Sequence, residues 1–293
     1  VENILAIPVV TGLKSESEKF AGAVDTYCIE AMMGDKKALQ AGTSHYLGQN
    51  FAKAFDVKFQ NESNKEEFVY ATSWGVSTRL VGALIMTHGD NKGLRLPPYV
   101  APIQIVIIPI IKNDEDINKI DKYLLTFIQN LKRNSIRYHV DNRKKISPGY
   151  KFNEWEMKGV PIRIEVGSRD IESNTLFCAR RDNGEKKSYA IDTAHIKLSN
   201  LLDEIQKNLF EQALKFRNDN TFCAKNYTDF KKLIVLGGFI KCFWDGKPQT
   251  EDKIKMETKA TIRCIINDKI DKNQRCIYSN ESAKYEVIFS KAY

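Results

Sequence analysis

Two short segments of the chain combine polar, basic and glycine residues in a way that suits the binding of a charged ligand. One is residues 40–45 (QAGTSH) and the other is residues 73–79 (SWGVSTR). The guanidinium of Arg79 is permanently charged and planar, so it can hold phosphate oxygens and also lie against a flat ring. On residue type alone, His45 could equally be a structural histidine and Arg79 a surface residue in an ion pair.

The hydrophobic pattern predicts which elements position these segments. Up to residue 98, short apolar runs alternate with Gly, Ser and Thr clusters, which is typical of an antiparallel sheet. The expected elements of this part are strands at 5–10, 27–33 and 68–72 and helices at 47–55 and 76–88. Both segments then fall where a strand ends before a helix, where polar groups can converge on a ligand.

The pattern changes after Pro97 and Pro98. A β-branched run at 104–111 predicts a strand buried on both faces, and the apolar spacing at 116–134 predicts an amphipathic helix. Strand–helix–strand order of this kind implies a small α/β domain. The other expected elements are strands at 137–140, 160–166, 175–180, 233–244, 261–266 and 285–289 and helices at 195–216 and 252–258.

Composition sets broad limits on function. The net charge of +8 is compatible with a polyanionic partner but is also common in Lys-rich proteins that bind no nucleic acid. No apolar run reaches the roughly 18–20 residues of a membrane helix, and no secretory signal is expected. The six cysteines form no CxxC pair, so we expect reduced, buried thiols in a cytoplasmic protein.

A longer series of motifs, which includes the two segments above, resembles the prolyl-tRNA synthetases of the archaeal and eukaryotic type. The order and spacing of these motifs carry the resemblance, and it covers essentially the whole chain. The other motifs are residues 20–26 (FAGAVDT), 29–33 (IEAMM), 47–51 (LGQNF), 88–90 (HGD), 93–98 (GLRLPP), 149–156 (GYKFNEWE), 159–163 (GVPIR) and 291–293 (KAY).

The resemblance implies an α/β and α+β multidomain protein. Residues 1–98 would be the C-terminal half of a class II synthetase catalytic domain, which is built on an antiparallel sheet. Residues 99–194 would be an α/β anticodon-binding domain, and residues 195–293 a linker helix with a small α+β C-terminal domain.

The resemblance also implies roles for residues of the two segments. Class II synthetases join an amino-acid carboxylate to the α-phosphate of a bent ATP and then pass the acyl group to the tRNA 3′ end, mainly by positioning and charge stabilisation. Arg79 is the expected catalytic residue, lying against adenine and reaching the γ-phosphate. The expected ATP-binding residues are Gln40, Thr43, Ser77 and Arg79, and the expected proline-binding residues are His45 and Trp74.

In the α/β domain, the resemblance implies recognition of the two guanines of the proline anticodon. Unpaired bases offer their Watson–Crick edges to carboxylates and arginines, and their faces to aromatic rings. The same side chains could instead form ordinary ion pairs at strand edges. The expected anticodon-binding residues are Phe152, Glu156, Arg163, Arg169 and Asp170.

Two departures from the family pattern limit these expectations. The class II motifs 1 and 2, which supply another arginine and much of the dimer interface, should lie upstream of Val1, so we expect the chain alone not to make prolyl-adenylate. Many relatives also carry a four-cysteine zinc site, whose positions correspond here to Asp245, Thr250, Cys276 and Ser279. One thiol, one carboxylate and two hydroxyls are a poor zinc set, so no zinc is expected.

The leading hypothesis is therefore a proline–tRNA ligase that uses ATP, as its magnesium complex, with L-proline and proline tRNA as partners. The full-length protein is expected to be a homodimer in the cytoplasm, without membrane attachment. A non-catalytic tRNA-binding truncation and a synthetase-like regulatory paralogue remain alternatives. Retention of Gln40, Thr43, His45 and Arg79 favours an enzyme, because a pure binding module would not need them.

Overall fold

The computed structural model describes residues 1–111 and 113–293. Its helices are α1 (Glu2–Leu5), α2 (Asn50–Ala54), α3 (Arg79–His88), α4 (Asp114–Arg133), α5 (Pro148–Met157), α6 (Ser168–Glu172), α7 (Ile191–Asp219), α8 (Tyr227–Leu236) and α9 (Pro248–Thr258). Its strands are β1 (Val9–Leu13), β2 (Asp25–Met32), β3 (Ala38–Gly48), β4 (Lys58–Gln60), β5 (Glu66–Phe68), β6 (Ala71–Gly75), β7 (Ile105–Pro109), β8 (Tyr138–Val140), β9 (Ile162–Val166), β10 (Thr175–Arg180), β11 (Lys186–Ala190), β12 (Thr221–Cys223), β13 (Phe239–Trp244), β14 (Thr261–Asn267) and β15 (Tyr285–Ser290).

The chain divides into two compact units. Unit 1 comprises Val1, Ile7–Thr87 and Leu214–Tyr293, and unit 2 comprises Glu2–Ala6 and His88–Ala213. The division falls within the long helix α7, which contributes its last residues to unit 1. The domain boundaries expected after residues 98 and 194 remain predictions.

Unit 1 is built on an eight-stranded sheet with the order β12-β13-β15-β14-β1-β2-β3-β6. All of its neighbouring strands run antiparallel except the short parallel pair β12 and β13. Strands from the predicted first region and from the predicted last region therefore hydrogen-bond within one sheet, through the pairing of β1 with β14.

Gly12 is the residue that permits the close approach of β14 to β1. A Cβ atom at this position would lie 2.3 Å from the carbonyl oxygen of Ile265 and 2.8 Å from Cβ of Cys264. Any larger side chain would push the two strands apart. The joining of the two parts of the sheet thus depends on a glycine at this point.

The described residues of unit 1 include two hydrophobic clusters that pack on this sheet. One packs α8 and α9 against the C-terminal strands, with Phe230, Ile254 and Phe289 fully or almost fully buried. The other lies between Cys28 and Met32 of β2 and Phe239, Cys264 and Ile288. Burying this apolar area stabilises the fold by roughly 25 cal/mol per Å².

Unit 2 is an α/β layer around a five-stranded sheet with the order β11-β10-β9-β7-β8. The interior strand β7, which lies between β9 and β8, is buried at every position, as its β-branched run predicts. Helix α4 begins with a capping box, in which the side chains of Asn113 and Asp116 each accept a hydrogen bond from the other's backbone N–H. Its apolar side packs on the sheet through Ile120, Leu124 and Phe127.

The mixed α/β and α+β fold class predicted from the sequence is confirmed, as are the predicted helices at 47–55, 76–88, 116–134, 195–216 and 252–258 in kind. Three strand predictions are wrong in part, and one of them, 68–72, spans the end of β5 and the start of β6. Residues 5–10 contain the end of α1 and only the first two residues of β1, because Ala6 has a φ of 55° and Pro8 follows. Residues 233–244 divide into the end of α8 and strand β13.

The wrong prediction of a single strand at residues 233–244 has a clear physical cause. Asn226 caps α8 by accepting a hydrogen bond from the backbone N–H of Asp229. The helix ends at Gly237 and Gly238, whose φ angles are 81° and 109°. Such angles are accessible to glycine with little strain, so the Gly-Gly pair separates one apolar run into a helix and a strand.

Candidate functional site

The register of β2, β3 and β6 assigns their side chains to two faces of the sheet. Thr26 lies opposite His45, and Ser44 lies opposite Trp74. Directly opposed residues share a face, and consecutive residues of a strand point to opposite faces. His45 and Trp74 therefore project from opposite faces, which we call the His45 face and the Trp74 face.

A polar cavity of about 340 Å³ lies where β3 and β6 meet the start of α3. The structure brings together here all of the residues predicted to bind ATP and both residues predicted to bind proline. Its lining includes Gln40, Thr43, His45, Trp74, Ser77 and Arg79. We call it the polar cavity.

Arg79 is the first residue of α3, and its exposed side chain crosses to the neighbouring strand. Nη1 donates to the backbone carbonyl oxygen of Gln40 at 3.4 Å, and the backbone N–H donates to the hydroxyl of Ser77 at 3.3 Å. A guanidinium has five N–H donors, so one long contact leaves most of its capacity for an anionic ligand. The strand–turn–helix geometry thus presents a permanent positive charge at the cavity.

His45 is fixed by two neighbours on its own face. Its Nδ1 lies 2.9 Å from the hydroxyl oxygen of Thr26, and its ring lies 4.8 Å from the ring of Phe20 between centroids. Thr26 is buried, at 2% exposure, so its hydroxyl position is determined by packing. A partner on Nδ1 selects the orientation of the imidazole and leaves Nε2 for other contacts.

The Trp74 face carries a second, largely apolar cavity of about 410 Å³. Tyr27, Ile29 and Val76 line it together with Trp74, whose side chain is 78% exposed. Trp74 therefore borders both cavities, while the side chain of His45 is confined to the other face. The expectation that these two side chains form one proline pocket remains a prediction.

Unit 2 has a cavity of about 150 Å³ that is rich in cationic side chains, which we call the basic cavity. Glu156 and Arg163, predicted to bind the anticodon, line it, and Phe152 lies beside it with its ring 4.4 Å from the guanidinium of Arg163. The cationic residues that line it are Lys92, Arg163, Arg180, Arg181 and Lys186.

Carboxylates already hold several of these cations. Lys92 pairs with Glu156 at 3.1 Å, and Arg163 contacts Glu165 at 3.0 Å. Arg181 makes a bidentate contact with Asp90, and this hydrogen bonding lowers the pKa of that carboxyl to about 2. Ion pairs with carboxylates therefore hold these cationic side chains of the basic cavity in fixed positions.

The structure does not bring Arg169 and Asp170 to this cavity. Both belong to α6, beyond the far end of β9 from Arg163. The carboxylate of Asp170 accepts a hydrogen bond from the backbone N–H of Gly167 at 2.9 Å and so caps α6. Arg169 is exposed. Their predicted role in anticodon binding remains a prediction.

Sequence reasoning missed Lys92, Arg180, Arg181 and Lys186 as lining residues of the basic cavity. A weak signal existed in the paired basic residues at 180–181 and 186–187, which lie at the end of the predicted strand 175–180 and shortly after it. Lys92 carried no such signal, because it lies 64 positions before Glu156, which it contacts.

The four positions compared with a zinc site do meet in space. Oδ2 of Asp245 accepts hydrogen bonds from Thr250 at 2.9 Å and Ser279 at 2.7 Å. Burial of Asp245 opposes its charge, but the bonds from Ser279, the Lys247 backbone, Thr250 and Cys276 lower the pKa of Asp245. Since the hydroxyls already donate to the one carboxylate, this set does not fit the strong thiolate or imidazole ligands of structural zinc.

Among residues 1–111 and 113–293, no group of three or more His, Cys, Asp or Glu side chains is arranged so that it could hold a metal ion. Within the same residues, no helix is long and apolar enough to cross a membrane.

Comparisons with known families cover much of the chain. The family described as "Anticodon binding domain" matches residues 104–208, and the family described as "Prolyl-tRNA synthetase, C-terminal" matches residues 227–293. The first match contains the basic cavity residues from Val106 to Lys186, and the second contains the Asp245 cluster.

Individual proteins are similar over the whole chain. The proline–tRNA ligase of Flavobacterium johnsoniae is 53% identical over 293 residues, which are 100% of this chain and 60% of that protein. The proline–tRNA ligase of Bacteroides fragilis is 51% identical, with the same coverage of 100% and 60%. The crystal structure of prolyl-tRNA synthetase from Cryptosporidium parvum complexed with L-proline and AMP has a TM-score of 0.93 and 39% identity, covering 100% of this chain and 63% of that one.

An antiparallel sheet that presents a motif arginine at a polar cavity, joined in one chain to an anticodon-binding domain, defines part of a class II aminoacyl-tRNA synthetase. The resemblance found in the sequence motifs is confirmed at this level. Within that class, the chain matches the C-terminal portion of prolyl-tRNA synthetases. It spans 60% of the length of the curated relatives that it matches.

Proposed function

We propose that the protein to which these 293 residues belong is a proline–tRNA ligase. It activates L-proline with ATP and transfers the prolyl group to the 3′ end of proline tRNA. The observation that supports this most strongly is the polar cavity, which gathers Gln40, Thr43, His45, Ser77 and Arg79 in a chain 53% identical to a proline–tRNA ligase.

In the first step, the proline carboxylate attacks the α-phosphate of ATP and pyrophosphate leaves. Negative charge is redistributed over the phosphates, and Arg79 would stabilise it with its planar, permanently charged donors. Gln40, Thr43 and Ser77 would hold the nucleotide by hydrogen bonds. We assign to His45 a contact with the bound proline, made through the Nε2 side of its ring.

In the second step, a ribose hydroxyl at the 3′ end of the tRNA attacks the prolyl carbonyl, and AMP leaves. Catalysis here consists mainly of holding the two reactants in position. The part of the relatives' length that this chain does not span, about 40% by difference from 60%, would supply the remaining contacts to proline and to the α-phosphate.

Magnesium would enter as the complex with ATP and offset phosphate charge, because Mg²⁺ is usually bound through substrate phosphates and water. The described lining of the polar cavity fits this arrangement, since it offers amide and hydroxyl oxygens but no carboxylate that could hold the ion by itself.

Unit 2 would bind the anticodon loop at the basic cavity. Glu156 can accept from guanine N1 and N2, Arg163 can donate to guanine O6 and N7, and Phe152 offers an aromatic face. The ion pair between Lys92 and Glu156 would have to open, because one carboxylate cannot serve both partners fully. We further propose a homodimer in the cytoplasm, as the family resemblance implies.

Charging of proline tRNA by the protein at its natural length tests the proposal. We expect proline to be attached in an ATP-dependent reaction, and sedimentation to give the mass of a dimer. If the protein bound proline tRNA tightly but charged it with no amino acid, it would be a tRNA-binding module or regulatory paralogue and the proposal would be wrong.

A further inference from the structure

The segment from Lys14 to Phe20, which we call the anchored segment, connects buried groups at one end to His45 at the other. It follows β1 directly and carries charged residues at Glu16, Glu18 and Lys19. A charge run of this kind would ordinarily be a solvated loop. In this structure, its first residues are instead buried.

The start of the segment is held at Glu30. Nζ of Lys14 donates to Glu30 at 2.8 Å and to the backbone carbonyl oxygen of Arg263 at 2.9 Å. The guanidinium of Arg263 contacts the same carboxylate with two nitrogen atoms, each at 3.1 Å. All three side chains are at least 92% buried, so neither cation can leave without exposing an uncompensated charge.

The next residue is held by helix α9. The hydroxyl of Ser15 donates to Oε1 of Glu251 at 2.9 Å, and the two residues are only 1% and 2% exposed. Glu18 adds an outer contact to Lys255 of the same helix at 3.7 Å. Burial raises the pKa of Glu251, and the hydrogen bond from Ser15 acts in the opposite direction.

The end of the segment contacts His45 along two routes. The backbone N–H of Phe20 donates to Oγ1 of Thr26 at 3.3 Å, and the same oxygen lies 2.9 Å from Nδ1 of His45. The ring of Phe20 also packs against the His45 ring at 4.8 Å between centroids. A shift of Phe20 would therefore disturb both the hydrogen bond and the packing that orient the imidazole.

We propose that Glu251, acting through Ser15 and the anchored segment, is a positioning residue for His45. A helix of the C-terminal region would in this way set the orientation of a side chain in the polar cavity. The proposal rests on the proposed function only for the role of His45 toward proline; the mechanical connection itself is testable without any substrate.

The histidine signals of this chain offer a direct measurement, because the sequence contains only His45, His88, His139 and His195. His45 is the one in unit 1, so the three others serve as internal references. We would record the imidazole NMR resonances of the 293-residue chain and assign His45 with His45→Gln.

Two substitutions distinguish positioning from simple packing. Glu251→Leu removes the acceptor for Ser15, and we expect the His45 resonances to shift and broaden while the references stay in place. Glu251→Gln keeps an acceptor oxygen, and we expect it to restore the wild-type His45 signal. Ser15→Ala should reproduce the Glu251→Leu result, and it provides the test if Glu251→Leu does not fold.

Thr258→Ala is the matched control, because it removes a hydrogen bond at the end of the same helix without touching the anchored segment. It should leave the His45 signal unchanged. Unchanged His45 resonances in both Glu251→Leu and Ser15→Ala would overturn the proposal, as would an equal shift in Thr258→Ala.

The kinetic consequence is measured separately in the natural-length protein. With Glu251→Leu we expect KM for proline to rise roughly tenfold, since a misplacement of about 1 Å can cost as much as about 100-fold, while KM for ATP stays constant. Glu251→Gln should return KM for proline to the wild-type value. Absence of proline-dependent activity in the unaltered protein would contradict the proposed function and leave the NMR result standing by itself.

Discussion

Nη1 of Arg79 lies 3.4 Å from the backbone carbonyl oxygen of Gln40, which joins the first residue of α3 to the middle of β3. The distance is at the long end for a hydrogen bond, so this contact orients the guanidinium more than it binds it. Both residues line the polar cavity. The charge of Arg79 is thus held in place while remaining accessible to a ligand.

Removing that charge should impair amino-acid activation without unfolding the protein. In Arg79→Ala of the natural-length protein, we expect ATP–pyrophosphate exchange to fall by about 10²- to 10³-fold, as for other preorganised donors to developing charge. Arg79→Lys should recover only part of the loss, because an ammonium lacks the planar fork. Lys65→Ala, in an exposed turn, is the charge-matched control and should retain full exchange.

Substitution in unit 2 should separate residues of the basic cavity from those outside it. Arg163→Gln should weaken proline tRNA binding by about 1–3 kcal/mol and reduce discrimination against tRNAs whose anticodon guanines are replaced. Arg169→Gln, which alters a residue on α6, should weaken the binding of all of these tRNAs equally and only slightly. Filter binding at one fixed salt concentration measures both effects.

An Arg169→Gln variant with the same loss of guanine discrimination as Arg163→Gln would show that Arg169 also reads the anticodon. In that case α6 would have to approach the anticodon loop in the complex. The prediction that Arg169 and Asp170 contact the anticodon would then be confirmed, and the basic cavity would be only part of the interface.

His88 should make unit 2 less stable in mild acid. It is 1% exposed, it donates from Nε2 to the backbone carbonyl oxygen of Leu5 at 2.8 Å, and burial lowers its pKa to about 4. The unfolded state binds the proton more readily than the folded state does. The contribution of His88 to the stability of unit 2 is therefore present above about pH 6.5 and is lost as the pH falls toward about 4. Between about pH 7 and pH 5 we expect a loss of about 2 kcal/mol.

Hydrogen exchange of the β7 amides would report this change within unit 2. His88→Gln removes the titrating group, so the variant should be less stable at neutral pH but should lose little more on acidification. An equally steep pH dependence in the variant would assign the effect to another group. Asp90 should not contribute in this window, since its pKa lies at about 2.

The Asp245 cluster should stabilise the C-terminal region without metal. Asp245→Ala removes the acceptor shared by Thr250 and Ser279, and we expect a loss of about 2–3 kcal/mol of unfolding free energy. Asp252→Ala alters an exposed carboxylate on α9, the helix that carries Thr250, and should stay within about 0.5 kcal/mol of the parent. Thermal unfolding with and without a chelator provides the measurement.

We expect the chelator to leave the unfolding midpoint of the parent unchanged. Stoichiometric zinc in the purified protein, or a midpoint that falls when the metal is removed, would refute the assignment of Asp245 as the centre of a hydrogen-bonded cluster.

Much of the fold could be predicted because its strongest signals are local. The continuous β-branched run of β7 and the apolar spacing of α4 each determine their own element. Residues 40–45 were expected at a strand end before a helix, but this polar and glycine-rich sequence QAGTSH lies inside the eleven-residue strand β3. Its strand geometry is stabilised by pairing with β2 and β6 on both sides, which no local pattern reveals.

The sequence could predict which residues line the polar cavity, but it could not predict from which face of the sheet each side chain projects. His45 and Trp74 both line the polar cavity, but their side chains project from opposite faces of the sheet, and their sharing of one proline pocket stays a prediction. The pairing of β3 with β6, which sets Ser44 opposite Trp74 and His45 opposite Ser73, decides these faces, and a displacement of this pairing by one residue would exchange them. The basic cavity was missed for a related reason, because Lys92 and Arg181 are far apart in the sequence.

Proline-dependent ATP–pyrophosphate exchange by the natural-length protein tests the central claim most directly, because it reports the first chemical step at the polar cavity. We predict exchange that requires proline, that other amino acids support at most weakly, and that Arg79→Ala nearly abolishes. A folded protein that binds ATP but exchanges no pyrophosphate with proline, or exchange that is indifferent to Arg79, would contradict the account.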